Sequence, residues 1–462
     1  MIQGARLSIR ILSDRLSLNR RAVTITSGRL RDNIWQLSWP LAISQGLFFF
    51  PGLYDAYWLG RLGPHALAAA GLTMSLRYTM ISVLMALSGA AGAVVARYVG
   101  ARESEQADLA TAQGVFLFVV ASGTLGLVGY WGVEPLLRLA GAQGDLLAPS
   151  IAYARVIFIG LIAMEMVPSM GAMLNAAGSP QLSLQMNLLN LLTFLALEPL
   201  FIWLGWGVSG AALAVVLGNV VGMVYGLYLL ATGQASVRIR LHDLRPNWPM
   251  MWRILRIALP GIIQRGMPNL ANSILMRFVA SYGAAPLAAF NLIGRVAMMI
   301  LIPCSGLSGA TPALVGQNLG AGQPARAQRA VNLVVIATLV ITAILLGLAV
   351  LLAGPIFSLF TQDADTIAAG VHALRILVIA RFFFTVGVVF DAALSGAGDT
   401  VSPMVINIIA LWLIQLPFIW LLSGQLGWGV DGIWWAIVFT MIVQTALLAA
   451  RFRQGRWKQT RL

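Results

Sequence analysis

The sequence predicts an all-α integral membrane protein in which twelve transmembrane helices form two pseudo-symmetric six-helix lobes. Three observations support this prediction. The chain is 59% hydrophobic and only 10% charged, whereas soluble globular domains are nearer a quarter charged. Apolar runs long enough to cross a bilayer follow one another along the whole chain. The second half of the chain repeats the first half in a nearly constant register.

The apolar runs are too long and too uniformly apolar for the alternating strands of a membrane barrel. Since only helices and closed barrels can span a bilayer, the runs are predicted to be helices. Breaks at Gly, Pro and charged residues divide the runs into twelve predicted spans, which we number in chain order. They cover residues 33–59, 66–95, 110–134, 150–174, 181–204, 209–232, 253–280, 286–316, 328–353, 368–394, 402–422 and 429–450.

Basic residues indicate how the chain is oriented. The net charge is +14, and Lys458 is the only lysine. Most arginines precede span 1 or follow spans 2, 6, 8 and 12, which share one side of the membrane if there are twelve spans. The positive-inside rule makes this side cytoplasmic, so we expect a multi-pass protein of the inner (plasma) membrane with both termini in the cytoplasm. The charge therefore indicates topology and not a nucleic-acid partner.

The predicted organisation follows from these spans. It consists of a basic cytoplasmic arm (1–32), a lobe of spans 1 to 6 (33–232), a cytoplasmic linker (233–252), a lobe of spans 7 to 12 (253–450) and a basic cytoplasmic tail (451–462). We refer to the two lobes as lobe one and lobe two. An organellar transit peptide has a composition similar to that of the arm, and this alternative stays open.

Matching residues of the two halves lie 220 positions apart, as in Pro40 and Pro260 or Gly63 and Gly283. Near the end, GWGVSG at 205–210 matches GWGVDG at 427–432, an offset of 222. Six spans per half is an even number, so both halves have the same orientation and an axis along the membrane normal relates them. This arrangement favours a transporter with a substrate path between the lobes, although a duplicated receptor or scaffold stays possible.

Five stretches carry a resemblance to a known family: LYDAYWLGRLGPHALAAAGL (53–72), VVARYVGAR (94–102), LNAAGSP (174–180), LVGQNLGAG (314–322) and LSGAGDT (394–400). Together they resemble the multidrug and toxic compound extrusion (MATE) family. The resemblance implies a secondary antiporter that exports organic compounds in exchange for H⁺ or Na⁺. The expected partners are a drug-like, cationic or zwitterionic substrate and membrane lipids. We expect no cofactor, metal or nucleic-acid partner. We expect the protein to be a monomer.

Ionisable residues inside a span are costly and usually functional, and three acids qualify best by this criterion. Asp55 and Glu198 lie five and seven residues before the glycines that end spans 1 and 5, at similar depths, and Glu165 is near the middle of span 4. Lobe two has Leu275 and Thr385 where lobe one has Asp55 and Glu165. We therefore predict that the three acids form a proton-coupling group confined to lobe one.

The resemblance implies that Asp55 is the acid of the family's first-helix motif. Many proton-coupled relatives carry Asn-x-x-x-Asp-Pro in the fifth helix, where this chain has Phe194-Leu-Ala-Leu-Glu198-Pro199. Asn187 and Asn190 are candidates to supply the missing amide. One Asp and one Glu form a poor set for a hard cation, which takes several oxygen ligands, whereas a proton needs a single carboxylate. We therefore favour H⁺ as the coupling ion and keep Na⁺ as the alternative.

Arginines and tyrosines inside the spans are candidates for substrate binding or gating. We place the arginines in the outer halves of their spans, and expect them either to pair with the lobe-one acids across a cavity or to bind an anionic or zwitterionic substrate group. The tyrosines flank Asp55 and either line a cavity or pack as ordinary aromatics. These candidates are Arg77, Arg277, Arg295, Arg381, Tyr54 and Tyr57.

Two functions other than drug export are possible for such a chain, a flippase and a membrane enzyme. A flippase of lipid-linked or anionic cargo from the same superfamily stays open, because arginines suit phosphate groups. An enzyme is not predicted, since His65, His242 and His372 lie in or near loops without paired metal-ligand spacing. Asp391, near the end of span 10, is either an interfacial paired acid or a functional one.

Overall fold

The computed structural model describes residues 25–47, 50–140, 142–361 and 363–459. Within these ranges the chain is almost entirely helical and has no strand. Most of the predicted basic arm, residues 1–24, lies outside the described residues, and so do residues 460–462 of the predicted tail.

The helices follow the twelve predicted spans in order, which confirms the predicted architecture. Span 4 consists of two helices, and span 11 is partly π-helical. Span 1 is described on either side of residues 48–49. The helices are Leu30–Leu47 with Phe50–Leu62 (span 1), Pro64–Ala101 (2), Ser104–Trp131 (3), Leu147–Ile159 with Leu161–Ala176 (4), Pro180–Trp203 (5), Gly207–Thr232 (6), Trp248–Ala280 (7), Ala284–Gly320 (8), Pro324–Leu351 (9), Ala364–Gly396 (10), Val401–Gln425 (11) and Gly429–Arg453 (12).

Two short helices, Val133–Leu139 and Ala353–Ser358, follow spans 3 and 9. The sequence analysis did not predict them as separate elements, because each continues the apolar run of the span before it. They begin 220 residues apart, at Val133 and Ala353, and thus extend the internal repeat beyond the spans.

Length and composition support membrane insertion. Eight of the described helices are long and apolar enough to cross a membrane, or ten helices and helix pairs if each of two bent pairs counts as one span. The bent pairs are span 4, with 48° between its halves, and span 8, with 55°. Spans 1 and 7 are less apolar, and span 7 carries Arg253, Arg256 and Arg277. Both also contain prolines, which remove a helical hydrogen bond and favour bending.

The repeat is visible in the backbone of the turns. Gly63 and Gly283 precede spans 2 and 8 with φ angles of 118° and 110°. Arg102 and Gly322 follow the same two spans with φ angles of 62° and 69°, and Arg102 is the only non-glycine residue of the described chain with a positive φ. Residues with a side chain disfavour this left-handed region. Lobe one therefore has a strained arginine, Arg102, where lobe two has glycine, which adopts this conformation without strain.

Spans 1, 2, 7 and 8 bring the lobes together. A Cβ atom added to Gly100 would lie 2.0 Å from the carbonyl oxygen of Gln317, and one added to Gly320 would lie 2.0 Å from that of Arg97. Only glycine allows two backbones to approach this closely. We name this end of the molecule, with residues 96–102 and 316–322, the closed end, and the opposite end the open end.

Spans 1 and 7 each enter the core of the other lobe near the closed end. Ile254 and Ile257 of span 7 are buried among residues of spans 2, 3 and 4, and Leu37 of span 1 is buried among residues of spans 8, 9, 10 and 12. Farther along these spans, Leu59 and Leu275 pack within their own lobes. The closed end is therefore a single packed region to which both lobes contribute.

The segment between the lobes is fixed to span 3. Gln113 is fully buried, donates through Nε2 to the carbonyl groups of Asp243 (2.6 Å) and Arg245 (2.8 Å), and accepts from the backbone N–H of Asn247 at 2.9 Å. The next residues begin span 7 and pack into lobe one. The linker and the first part of span 7 are therefore packed as part of lobe one.

Candidate functional site

The acids of spans 1 and 5 come together inside lobe one. Asp55 is 7% exposed and Glu198 is fully buried. Their carboxyl groups are close enough to interact with one another. No hydrogen bond of ordinary geometry satisfies Oδ1 of Asp55 or either carboxyl oxygen of Glu198 within the described chain. Because like charges repel strongly in a protein interior, ionising both groups is costly. The pair is suited to hold a proton between the two side chains.

Tyr153 of span 4 is the third member of this site. It is fully buried, and its hydroxyl group lies 3.4 Å from Oδ2 of Asp55 in a geometry that allows donation. The sequence analysis missed Tyr153, because 98 residues separate it from Asp55 and a single tyrosine in an apolar span gives no functional signal. The contact gives Asp55 one donor and leaves its other oxygen free for Glu198 or a proton.

Tyr54 fixes span 1 against span 5 beside the acid pair. Its hydroxyl group donates to the carbonyl oxygen of Leu195 at 3.0 Å, and its ring meets that of Phe194 edge to face at 5.8 Å between centroids. Of the two interpretations of Tyr54, these contacts favour packing. Tyr57 is 53% exposed, and the Arg61 guanidinium lies 4.8 Å from its ring centroid. Tyr57 therefore stays a candidate for substrate binding or gating.

Glu165 pairs with an arginine, which is one of the two alternatives expected for Arg77, and not with the other two acids. Its Oε1 accepts from Arg77 of span 2 through Nε at 3.0 Å and Nη2 at 2.6 Å, and both side chains are largely buried. Glu165 was grouped with Asp55 and Glu198 because the sequence shows depth but not pairing. The geometry makes Glu165 the counter-ion of Arg77, and it gives Arg77 a lobe-one partner instead of a free guanidinium group.

The arginines of lobe two do not pair with the acids of lobe one. Within the described residues, no ion pair joins Arg277, Arg295 or Arg381 to Asp55 or Glu198. The expected pairing across the cavity is therefore not seen in this conformation. At the open end each lobe packs within itself.

The positions of these arginines also differ from one another. Arg277 and Arg295 are exposed, and Arg277 lies within a turn of the end of span 7, where a long side chain can reach the membrane interface. Arg381 lies at the centre of the helix Ala364–Gly396 and not in its outer half. The midpoint of the predicted bounds, 368–394, is the same residue, so the expected position in the outer half was wrong.

The proposed substitute amides do not contact the acid pair. Asn190 donates to Oδ1 of Asn219 in span 6 at 3.1 Å, and Asn187 is half-buried with no hydrogen bond to any described residue. Phe194, where relatives carry the amide, is 3% exposed and packs on Tyr54. Aromatic packing thus replaces an amide at this position.

Asp391 is a paired acid. Its carboxylate accepts from Nε2 of Gln264 in span 7 at 2.8 and 2.7 Å, and from the hydroxyl group of Ser395 at 3.3 Å. These bonds tie span 10 to span 7 within lobe two. They favour the structural interpretation of Asp391.

Twelve helical spans in two related lobes, with a buried acid pair inside one lobe, define a secondary membrane transporter. A family model described as MatE matches the chain twice, over residues 40–200 and 260–421, and the two matches begin 220 residues apart. The chain belongs to the MatE family of multidrug and toxic compound extrusion transporters. It is therefore a transporter and not an enzyme, and members of this family use ion gradients to export small organic compounds.

Relatives extend along nearly the whole chain. The probable multidrug resistance protein YpnP of Bacillus subtilis is 25% identical over 96% of this chain and 99% of its own. The FAD transporter of Shewanella oneidensis is 27% identical over 82% of this chain and 84% of its own. A solved outward-facing multidrug resistance MATE transporter of the MOP superfamily is similar with a TM-score of 0.84 and 26% identity, covering 95% of this chain and 99% of that one.

Proposed function

We propose that this protein is a proton-coupled antiporter that exports organic compounds by alternating access between its lobes, with Asp55 and Glu198 as the coupling site. The observation that carries this proposal is the pair of buried carboxyl groups with three oxygens left without hydrogen-bond partners. Buried polar groups are normally satisfied. A proton shared by the two side chains satisfies two of these three oxygens, one as donor and one as acceptor, without any further ligand.

The composition of the site favours H⁺ over Na⁺. A hard cation takes several oxygen ligands, and no group of three or more His, Cys, Asp or Glu side chains occurs in the described part of the chain. Phe194 lies where an amide oxygen could have contributed, and Tyr153 contributes one hydroxyl. The site thus offers few oxygens for a cation and enough for a proton.

The closed end supports a direction for transport. It carries Arg102 directly after span 2, and Arg326 and Arg329 in the first turns of span 9. The positive-inside rule assigns a span end with such basic residues to the cytoplasm. On this assignment both termini are cytoplasmic, the protein lies in the inner (plasma) membrane, and the lobes are closed inward and separated outward. Protonation from outside would then neutralise the acid pair and favour release of a cargo.

Flux driven by separate gradients tests the coupling ion. Everted membrane vesicles or proteoliposomes carrying the full chain would receive a pH gradient without Na⁺, or a Na⁺ gradient without a pH gradient, and ethidium transport would be followed by fluorescence. We expect transport with the pH gradient alone. Transport that requires Na⁺ and ignores the pH gradient would overturn proton coupling.

A flippase is the second candidate, and the exposed arginines Arg277 and Arg295 favour it because they suit phosphate groups. The same proteoliposomes, doped with a fluorescent phosphatidylglycerol, would report lipid movement by dithionite quenching. Chain-dependent lipid translocation without ethidium transport would favour this function over drug export.

A further inference from the structure

Arg381 is a guanidinium group in the middle of lobe two that has no counter-ion among the described residues. It forms no hydrogen bond or ion pair with any described residue, and its Cζ lies 5.9 Å from the ring centroid of Phe384. It lines a narrow crevice of about 10 Å³ between spans 8, 9 and 10 with Thr385 and otherwise apolar side chains. A charged group at this depth is costly in a membrane protein unless something binds it.

The groups near Arg381 do not neutralise it. Thr385 donates to the carbonyl oxygen of Phe382 at 2.9 Å and accepts from Thr342 at 3.2 Å, so its hydroxyl group is occupied. Asp391 on the same helix is ten residues away, about 15 Å along the axis at 1.5 Å per residue, and it is bound to Gln264.

The internal repeat shows what is absent from lobe two. Arg77 and Glu165 form the ion pair of lobe one, and the residues 220 positions later are Ala297 and Thr385. These two residues line the same crevice as Arg381. Lobe one therefore supplies a carboxylate to its buried arginine, whereas lobe two places an arginine in the corresponding region without supplying a carboxylate.

We propose that Arg381 is an anion-recognition point that binds a carboxylate or phosphate group of the exported compound, so that compounds with an acidic group bind more tightly than purely cationic compounds of the same shape. This inference rests on the export function proposed above and adds the chemical class of the cargo. The planar guanidinium group is suited to carboxylate and phosphate oxygens, which it binds through two parallel N–H groups. A space of about 10 Å³ holds roughly one water molecule, so the crevice must widen to admit the acidic group, and the rest of the compound stays outside it.

Equilibrium binding to the full chain in detergent tests this assignment without any ion gradient. The probes are two matched pairs that differ in an acidic group: rhodamine 110 with its methyl ester rhodamine 123, and flavin mononucleotide with riboflavin. Fluorescence anisotropy would give the dissociation constant of each probe for the wild type and for Arg381→Gln, Arg381→Lys and Arg375→Gln. Arg375 is an exposed arginine on the same helix and serves as the matched control.

We expect the wild type to bind the acidic member of at least one pair about tenfold more tightly than the member without the acidic group, a difference that one charge-assisted hydrogen bond can provide. Arg381→Gln should abolish this preference, Arg381→Lys should keep part of it, and Arg375→Gln should keep all of it. Size-exclusion profiles would establish that each variant is folded. No acid preference in the wild type, or a preference that survives in Arg381→Gln, would overturn the proposal.

Two further arms separate the possible sources of an effect. Inorganic phosphate and chloride, added alone, would show by thermal shift whether Arg381 binds any small anion. Stabilisation by these ions without an acid preference among the dyes would reject the cargo assignment. Asp55→Asn should retain the acid preference, so a failure of proton coupling would be distinguishable from a failure of anion recognition.

Discussion

Tyr54 donates its hydroxyl proton to the carbonyl oxygen of Leu195 at 3.0 Å, the group that Pro199 leaves without a donor. In an α-helix the N–H of residue 199 would bind the carbonyl of residue 195, but proline has no N–H. The side chain of span 1 thus replaces a backbone hydrogen bond of span 5. The contact lies one residue from Asp55 and three residues from Glu198, so it sets how the two acids meet.

A double-mutant cycle tests this substitution. Tyr54→Phe should lower the free energy of unfolding by about 1–3 kcal/mol, because it leaves the Leu195 carbonyl unsatisfied in the interior. Pro199→Ala returns a backbone N–H, so Tyr54→Phe in that background should cost much less. Unfolding in mixed micelles would measure both, with the exposed Tyr57→Phe as the control. Equal costs of Tyr54→Phe in the two backgrounds would contradict the account.

The Arg77–Glu165 pair is predicted to be structural. Glu165→Gln should destabilise the protein by about 3 kcal/mol, because it leaves a largely buried arginine without its counter-ion. Replacing both residues with leucine should recover most of that loss and keep transport driven by a pH gradient. Thermal unfolding and vesicle transport provide the two measurements. A stable double variant that has lost proton coupling would instead return Glu165 to the coupling group.

The glycines at the closed end are predicted to control which conformation is populated. Gly100→Ala places a methyl group where the carbonyl oxygen of Gln317 lies, so the closed end must separate. Spin labels at the exposed residues Glu103 and Gln323 would then report longer distances by electron paramagnetic resonance. Gly71→Ala is the control, since nothing lies within 4 Å of the added atom. An unchanged distance distribution for Gly100→Ala would show that other contacts hold this end together.

Glu198 is predicted to influence the proton affinity of the site. Glu198→Gln removes one of two interacting carboxyl groups, and interacting groups titrate as a pair. The pH dependence of ethidium transport should therefore shift, while the expression and folding of the variant should resemble those of the wild type. If the pH profile of Glu198→Gln matches that of the wild type, Glu198 has only a packing role.

The architecture could be predicted because it depends on patterns that repeat along the chain. The apolar runs predict the spans, and the offset of 220 predicts two lobes, which the backbone angles of Gly63 and Gly283 now show directly. The entry of spans 1 and 7 into the opposite lobes could not be predicted in this way. Ile254 and Leu37 are ordinary apolar residues, and their sequence context does not specify which lobe buries them.

The site was predicted in part. The depths of Asp55 and Glu198 follow from the rise of a helix, so the sequence could place both in one layer of the membrane. The partners of the other charges depend on contacts between distant residues, such as Arg77 and Glu165, which are 88 positions apart. Side-chain pairing of this kind needs the packing angles of the helices, and neither composition nor spacing contains them.

The central claim is that Asp55 carries the transported proton, and the most direct test is transport by Asp55→Asn under a pH gradient without Na⁺. The variant would be reconstituted in proteoliposomes beside the wild type, after size-exclusion chromatography has shown equal folding, and ethidium flux and proton flux would be recorded together. We predict that the wild type couples the two fluxes and that Asp55→Asn abolishes both. Wild-type ethidium transport driven by the pH gradient in Asp55→Asn would contradict the account.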